Sequence, residues 1–116
     1  MKAERVAFVM YPVTDMARAT DFYTGVLGFE RSGLSNDFWA EFEVGGVTFG
    51  IGNFEQAGKP GTAQSLAIEV SDMSVARAEL AGRGVDTTEP FETQICYISI
   101  VRDPDGNQVV LHQAKT

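Results

Sequence analysis

A chain of 116 residues, 44% of them hydrophobic, has the length and apolar content for one domain with an ordinary core. Its net charge of −7, from 9 basic and 16 acidic residues, speaks against nucleic acid and anionic membranes, both of which need clustered Lys and Arg. The lone Cys96 excludes an intrachain disulfide, no apolar run is long enough to span a bilayer, and Met1–Arg5 carries no secretory pattern, so a cytoplasmic setting is expected.

Val6–Tyr11 is an apolar, β-rich run and is predicted as the first strand, with Pro12 expected to end its ladder. Asp15 is placed to cap a helix over Met16 to Val26, whose apolar stripe is Met16, Ala19, Phe22, Tyr23 and Val26. Gly28 then stops it. A weak strand over Phe29–Gly33 precedes a clearer one over Asp37–Val44, where Phe38, Ala40, Phe42 and Val44 alternate with polar residues and Trp39. Gly45-Gly46 is a two-residue hairpin signal, and Val47–Gly52 returns as the fourth strand.

Residues 54–63, rich in Gly and Pro, read as a loop between two units, about 1–53 and 64–116. The order of elements then restarts. Ser65–Val70 is a strand, and Asp72 caps a helix over Met73–Arg83 with Met73, Ala76 and Leu80 on its core face. Thr87–Glu92 is a weak strand, Ile95–Arg102 a strong one, Asp103–Asn107 a turn, and Gln108–Gln113 the last strand. Cys96, inside an apolar run, is expected to be a buried small hydrophobe.

A repeat underlies this order. Val13-Thr14-Asp15-Met16 returns as Val70-Ser71-Asp72-Met73, an offset of 57, and Gly25 maps onto Gly82 at the same offset. The hairpin glycines Gly46 and Gly106 match at an offset of 60, as a small insertion in the second half would produce. Self-similarity at a fixed offset marks a duplicated supersecondary unit. The predicted fold is α+β: two βαβββ units forming a curved mixed-sheet cup, with the helices on its outer face. Such a cup is a concave site for a small molecule.

The residues Val13-Thr14-Asp15-Met16, Phe22-Tyr23, Val26-Leu27-Gly28-Phe29 and Asp103-Pro104-Asp105-Gly106-Asn107 together resemble the vicinal oxygen chelate superfamily, which includes glyoxalase I, bleomycin-resistance proteins and extradiol dioxygenases. The resemblance covers nearly the whole chain. It implies the cup and, for the enzymes, a divalent metal held by His, Gln and Glu. Carried over position by position, the ligands fall on Phe8, Gly50, Ser65 and Val110. Phe8, Gly50 and Val110 have no donor side chain, and Ser65 is a poor ligand, so no metal and no other cofactor is expected. His112 is the only histidine and reads as a strand-end residue, whose replacement by Ala is expected to leave fold and ligand affinity nearly unchanged.

Alternation around those positions gives a mostly apolar lining. Phe8, Met10, Thr48 and Gly50 would come from the first unit and Ser65, Ala67 and Val110 from the second, together with Val6 and Glu69. Trp39 and Tyr97 are candidate stacking residues for a flat ligand or a cation. Glu69, a carboxylate on an apolar central strand, is a weak candidate base whose pKa burial would raise. Three functions compete. The first is a metal-free protein that sequesters a small organic molecule, like the bleomycin-resistance branch. The second is a lyase, isomerase or dioxygenase-type enzyme of the superfamily, and the third is an interaction protein with a vestigial cup. By analogy with single-domain relatives, a homodimer is expected.

Overall fold

The computed structural model describes residues 1–116. Its strands are β1 (Val9–Pro12), β2 (Glu30–Asn36), β3 (Trp39–Val44), β4 (Val47–Gly52), β5 (Leu66–Glu69), β6 (Phe91–Glu92), β7 (Cys96–Arg102) and β8 (Gln108–Ala114). Its α-helices are α1 (Met16–Asp21) and α2 (Met73–Gly82). The strands form two four-stranded mixed sheets with matching orders, β1-β4-β3-β2 and β5-β8-β7-β6. In each, the first strand runs parallel to the last, and the others pair antiparallel. The duplication expected from the tetrapeptide match is therefore present in the topology.

Equivalent residues do equivalent work. Asp15 accepts the backbone N–H of Arg18, and Asp72 accepts that of Val75, so each caps its helix. Gly45 and Gly46 both adopt positive φ (53° and 88°), as the tight hairpin between β3 and β4 requires.

Four expectations shift. The first strand begins at Val9 rather than Val6, leaving Val6 69% and Phe8 49% exposed. The weak strand expected over Thr87–Glu92 shortens to β6, whereas β1 does stop at Pro12, which sits opposite Gly52 at the end of an edge strand with its missing N–H facing no partner. The first helix is α-helical only to Asp21 and continues as a π-helical turn over Phe22–Val26. A regular α-helix separates neighbours by about 100°, which would aim only one of two adjacent rings at the core. The wider turn rotates less per residue, and both Phe22 and Tyr23 are buried. Finally, β2 runs on to Asn36 through a bulge between Ser32 and Ser35, where Gly33 takes φ 55°.

The core lies on the helix side of both sheets. Strand register puts Phe49 beside Phe42, and Ile51 beside Ala40 and Tyr11. Tyr23 packs against Phe29, Phe42 and Phe49. One cluster of 15 buried residues includes these and also Met73, Leu80, Val101, Val109 and Leu111, so the two units share a single core. The turn Asp103–Asn107 ties them together. Asn107, fully buried, donates through Nδ2 to the Pro12 carbonyl (2.7 Å) and to Asp103 Oδ2 (2.8 Å). Its Oδ1 accepts the N–H groups of Gly61 (2.9 Å) and Ala63 (3.1 Å). Tyr23 donates to Asp103 across the units (2.8 Å). Cys96 is buried, and no helix is long and apolar enough to cross a membrane.

Candidate functional site

The opposite face of each sheet carries no helix. On the first sheet, alternation places Met10, Gly50, Glu41 and Ser32 in one row and Thr48, Glu43 and Glu30 in the next. Trp39 joins this face from the start of β3. Its ring lies flat over Gly50, where a Cβ would run into the indole. Phe8 meets it edge-on, with centroids 5.3 Å apart, and Phe54 lies 6.4 Å away at a tilt. Phe54 reaches this place across Gly52, where an added Cβ would stand 2.6 Å from its ring.

These rings, with Phe38 and Leu34, wall an open hollow of about 590 Å³. Its polar groups are Asn36, Glu41 and Gln56. Trp39 Nε1–H donates to Glu41 Oε2 at 2.9 Å, which fixes the plane of the indole. The hollow is a smooth aromatic surface with one carboxylate at its edge, suited to holding a flat organic molecule by stacking and burial. Its lining residues come from the first unit and from the loop that follows it, and none comes from the second unit.

The predicted residues of the second unit sit elsewhere. Ala67 and Val110 are paired in register on the open face of the second sheet, and Ser65 lies just before β5. Tyr97 is a correction: it pairs with Gln113, shares its face of β7 with the buried Ser99 and Val101, and so faces the α2 side, where it packs against the core. Ile98 takes the open-face place opposite His112. Lys115 Nζ stands 5.1 Å from the Tyr97 ring centroid, covering what remains exposed.

Glu69 is a second correction. It is not buried, and its pKa is lowered rather than raised, because it accepts the Ala114 N–H (2.7 Å) and then the His112 ring. His112 Nδ1 lies 2.5 Å from Glu69 Oε1, so the two make an imidazole–carboxylate pair on the open face. Sequence reasoning missed Leu34, Asn36, Phe38, Phe54 and Gln56 as pocket residues. Phe54 and Gln56 belong to a loop without periodicity, and the bulge in β2 breaks the alternation that would have placed Leu34.

The matching family model, described as Glyoxalase/Bleomycin resistance protein/Dioxygenase superfamily, covers residues 5–111. The chain belongs to this superfamily. Among its solved members, TnmS3, an antibiotic binding protein from Streptomyces sp. CB03234, is 26% identical over 99% of both chains, with a TM-score of 0.88. A superfamily member from Sphaerobacter thermophilus DSM 20745 is 27% identical, covering 96% of this chain and 98% of its own, with a TM-score of 0.82. A second glyoxalase/bleomycin resistance protein from Streptomyces sp. CB03234 is 26% identical, with 94% of this chain and 100% of that one covered and a TM-score of 0.81. No curated protein sequence matches the chain.

The superfamily's enzymes hold a divalent metal, and the residues here do not fit one. At the four ligand positions the indole of Trp39 fills the space above Gly50, Phe8 presents a ring, Val110 a methyl pair, and Ser65 lies outside β5. Nowhere do three His, Cys, Asp or Glu side chains converge.

Proposed function

We propose that this glyoxalase/bleomycin-resistance superfamily member is a metal-free binding protein that sequesters a small, flat organic molecule. Phe8, Trp39, Phe54 and Glu41 around an open volume of about 590 Å³ carry this reading. That volume is within the range of small-molecule sites. The relative described as an antibiotic binding protein supports the same class of activity. Phe8, Trp39 and Gly50 would form the stacking floor, with Met10 and Thr48 farther along the same face. Sequestration requires complementarity and no reacting group, so the loss of a metal site costs it nothing.

A homodimer belongs to this reading. The chain exposes 7130 Å², against about 6200 Å² expected for a monomer of 12.6 kDa. Part of the excess is the exposed run before β1, and the rest adds to the open sheet faces that a second copy would cover. A second copy laid over the open faces would bring Ala67 and Val110 of one unit toward the hollow of another. The unit boundaries at about 1–53 and 64–116 and a cytoplasmic setting complete the proposal.

The test begins with metal content after incubation with zinc, nickel, manganese and iron(II). Substoichiometric metal in every sample is expected. A screen of planar compounds should then quench the emission of Trp39, the chain's one tryptophan. Near-stoichiometric metal with chelator-sensitive turnover would sink the binding reading. A second reading, a metal-free lyase or isomerase, draws on the Glu69–His112 pair, which leaves the His112 Nε2 free to take a proton. It requires turnover that both Glu69→Gln and His112→Ala abolish while ligand affinity is kept.

A further inference from the structure

We infer that Glu41 makes the hollow selective for flat aromatic molecules that carry a positive charge, an inference that rests on the binding role proposed above. Glu41 and Trp39 are two residues apart on β3, so both project onto the open face. The indole N–H takes only Oε2, and no protein donor reaches Oε1. The carboxylate is thereby held against the edge of the aromatic floor, with Oε1 seated over Gly33 and free of any protein donor.

Two glycines make this placement possible. A Cβ on Gly33 would collide with the Glu41 carboxylate, and one on Gly50 with the Trp39 ring. Gly33 sits in the β2 bulge with φ 55°, a conformation that other residues rarely adopt. Ring and carboxylate are seated over positions without side chains, preorganised before any ligand arrives.

The surroundings have one sign. Glu41 is the only charged side chain lining the hollow. The register adds Glu43 and Glu30 on the same face, while Arg31 pairs with Phe42 and points to the other side. A cation stacked on Trp39 meets the negative face of the ring and a carboxylate together. A neutral molecule of the same shape gains only the stacking, and an anion is repelled. Were Glu41 only an anchor for Trp39, its charge would not matter, because the amide oxygen of a glutamine accepts the indole N–H equally well.

The experiment compares three tricyclic probes by quenching of Trp39: 9-aminoacridine, a cation near neutral pH; acridone, neutral; and 9-anthracenecarboxylate, an anion. The native protein is expected to bind the cation about tenfold or more tighter than acridone, with the anion weakest. Glu41→Gln should bring cation and neutral probe to within about twofold of each other, chiefly by weakening the cation. A thermal melt checks that the variant is folded. Should it fold poorly, the native protein decides alone: the cation preference should shrink as salt rises, whereas acridone binding should not move. Equal affinities for the three probes, or a cation preference that survives Glu41→Gln, overturn the charge selectivity and leave the binding role standing. Failure of all three to bind the native protein overturns both.

Discussion

Gly50 shows how a single missing side chain shapes the site. It stands where the superfamily resemblance would put a metal ligand, and its empty side gives the Trp39 indole a floor. Gly50→Ala puts a methyl group into that ring. Trp39 borders open solvent and has room to swing away, so the fold should lose no more than about 1 kcal/mol. Ligand affinity should fall about tenfold or more as the stacking surface turns. Trp39 fluorescence titration and a denaturant melt check the two effects separately; a stability loss with unchanged affinity would place Trp39 outside the binding surface. In the sequence Phe8 was singled out through the superfamily resemblance and Trp39 through alternation along its strand, since period two sends residues of one parity to one face. Tyr97, taken as the counterpart of Trp39 in the second unit, was misplaced because its face depends on β7–β8 register, which sets Ile98 and not Tyr97 opposite His112.

Among elements, the helix caps and hairpin glycines were legible because they are local: Asp15, Asp72, Gly45 and Gly46 act on backbone groups within a few residues. The turn Asp103–Asn107 was legible as a turn but not as the knot between the units. Its partners Pro12, Gly61, Ala63 and Tyr23 lie between 44 and 95 residues away in the chain. Asn107→Ala would strand the Pro12 carbonyl and the N–H groups of Gly61 and Ala63 in a buried place. The expected cost is about 3–4 kcal/mol, read from the midpoint of denaturant unfolding. A loss under about 1 kcal/mol would mean that water or a neighbouring side chain takes over these bonds.

For the molecule as a whole, alkaline pH should be the weak side. Tyr23 has its pKa raised well above the ordinary 10.0, first by burial and then by the charge of Asp103, and burial also raises that of Tyr11. Above pH 10 the unfolded chain loses phenolic protons that the folded chain keeps, so the stability these groups contribute below that pH declines as it rises. Unfolding free energy should fall steadily beyond about pH 10, and Tyr23→Phe should flatten the slope while losing the bond to Asp103. A stability unchanged from about pH 8 to about pH 11 would contradict this. Sedimentation should show a dimer at micromolar concentration. A strict monomer would detach Ala67 and Val110 from the site.

The sequence by itself determined the duplicated βαβββ order, the caps and the tight turn. Each is either a short-range rule or an identity at a known place in a repeat. Only the tertiary structure decided that the hollow belongs to the first unit and the loop after it, that Phe54 and Leu34 wall it, that Glu41 is bound to Trp39, and that Glu69 is an exposed partner of His112 rather than a buried base. Those facts depend on a bulge, a loop crossing and a strand register, and each is set by contacts between residues distant in the chain.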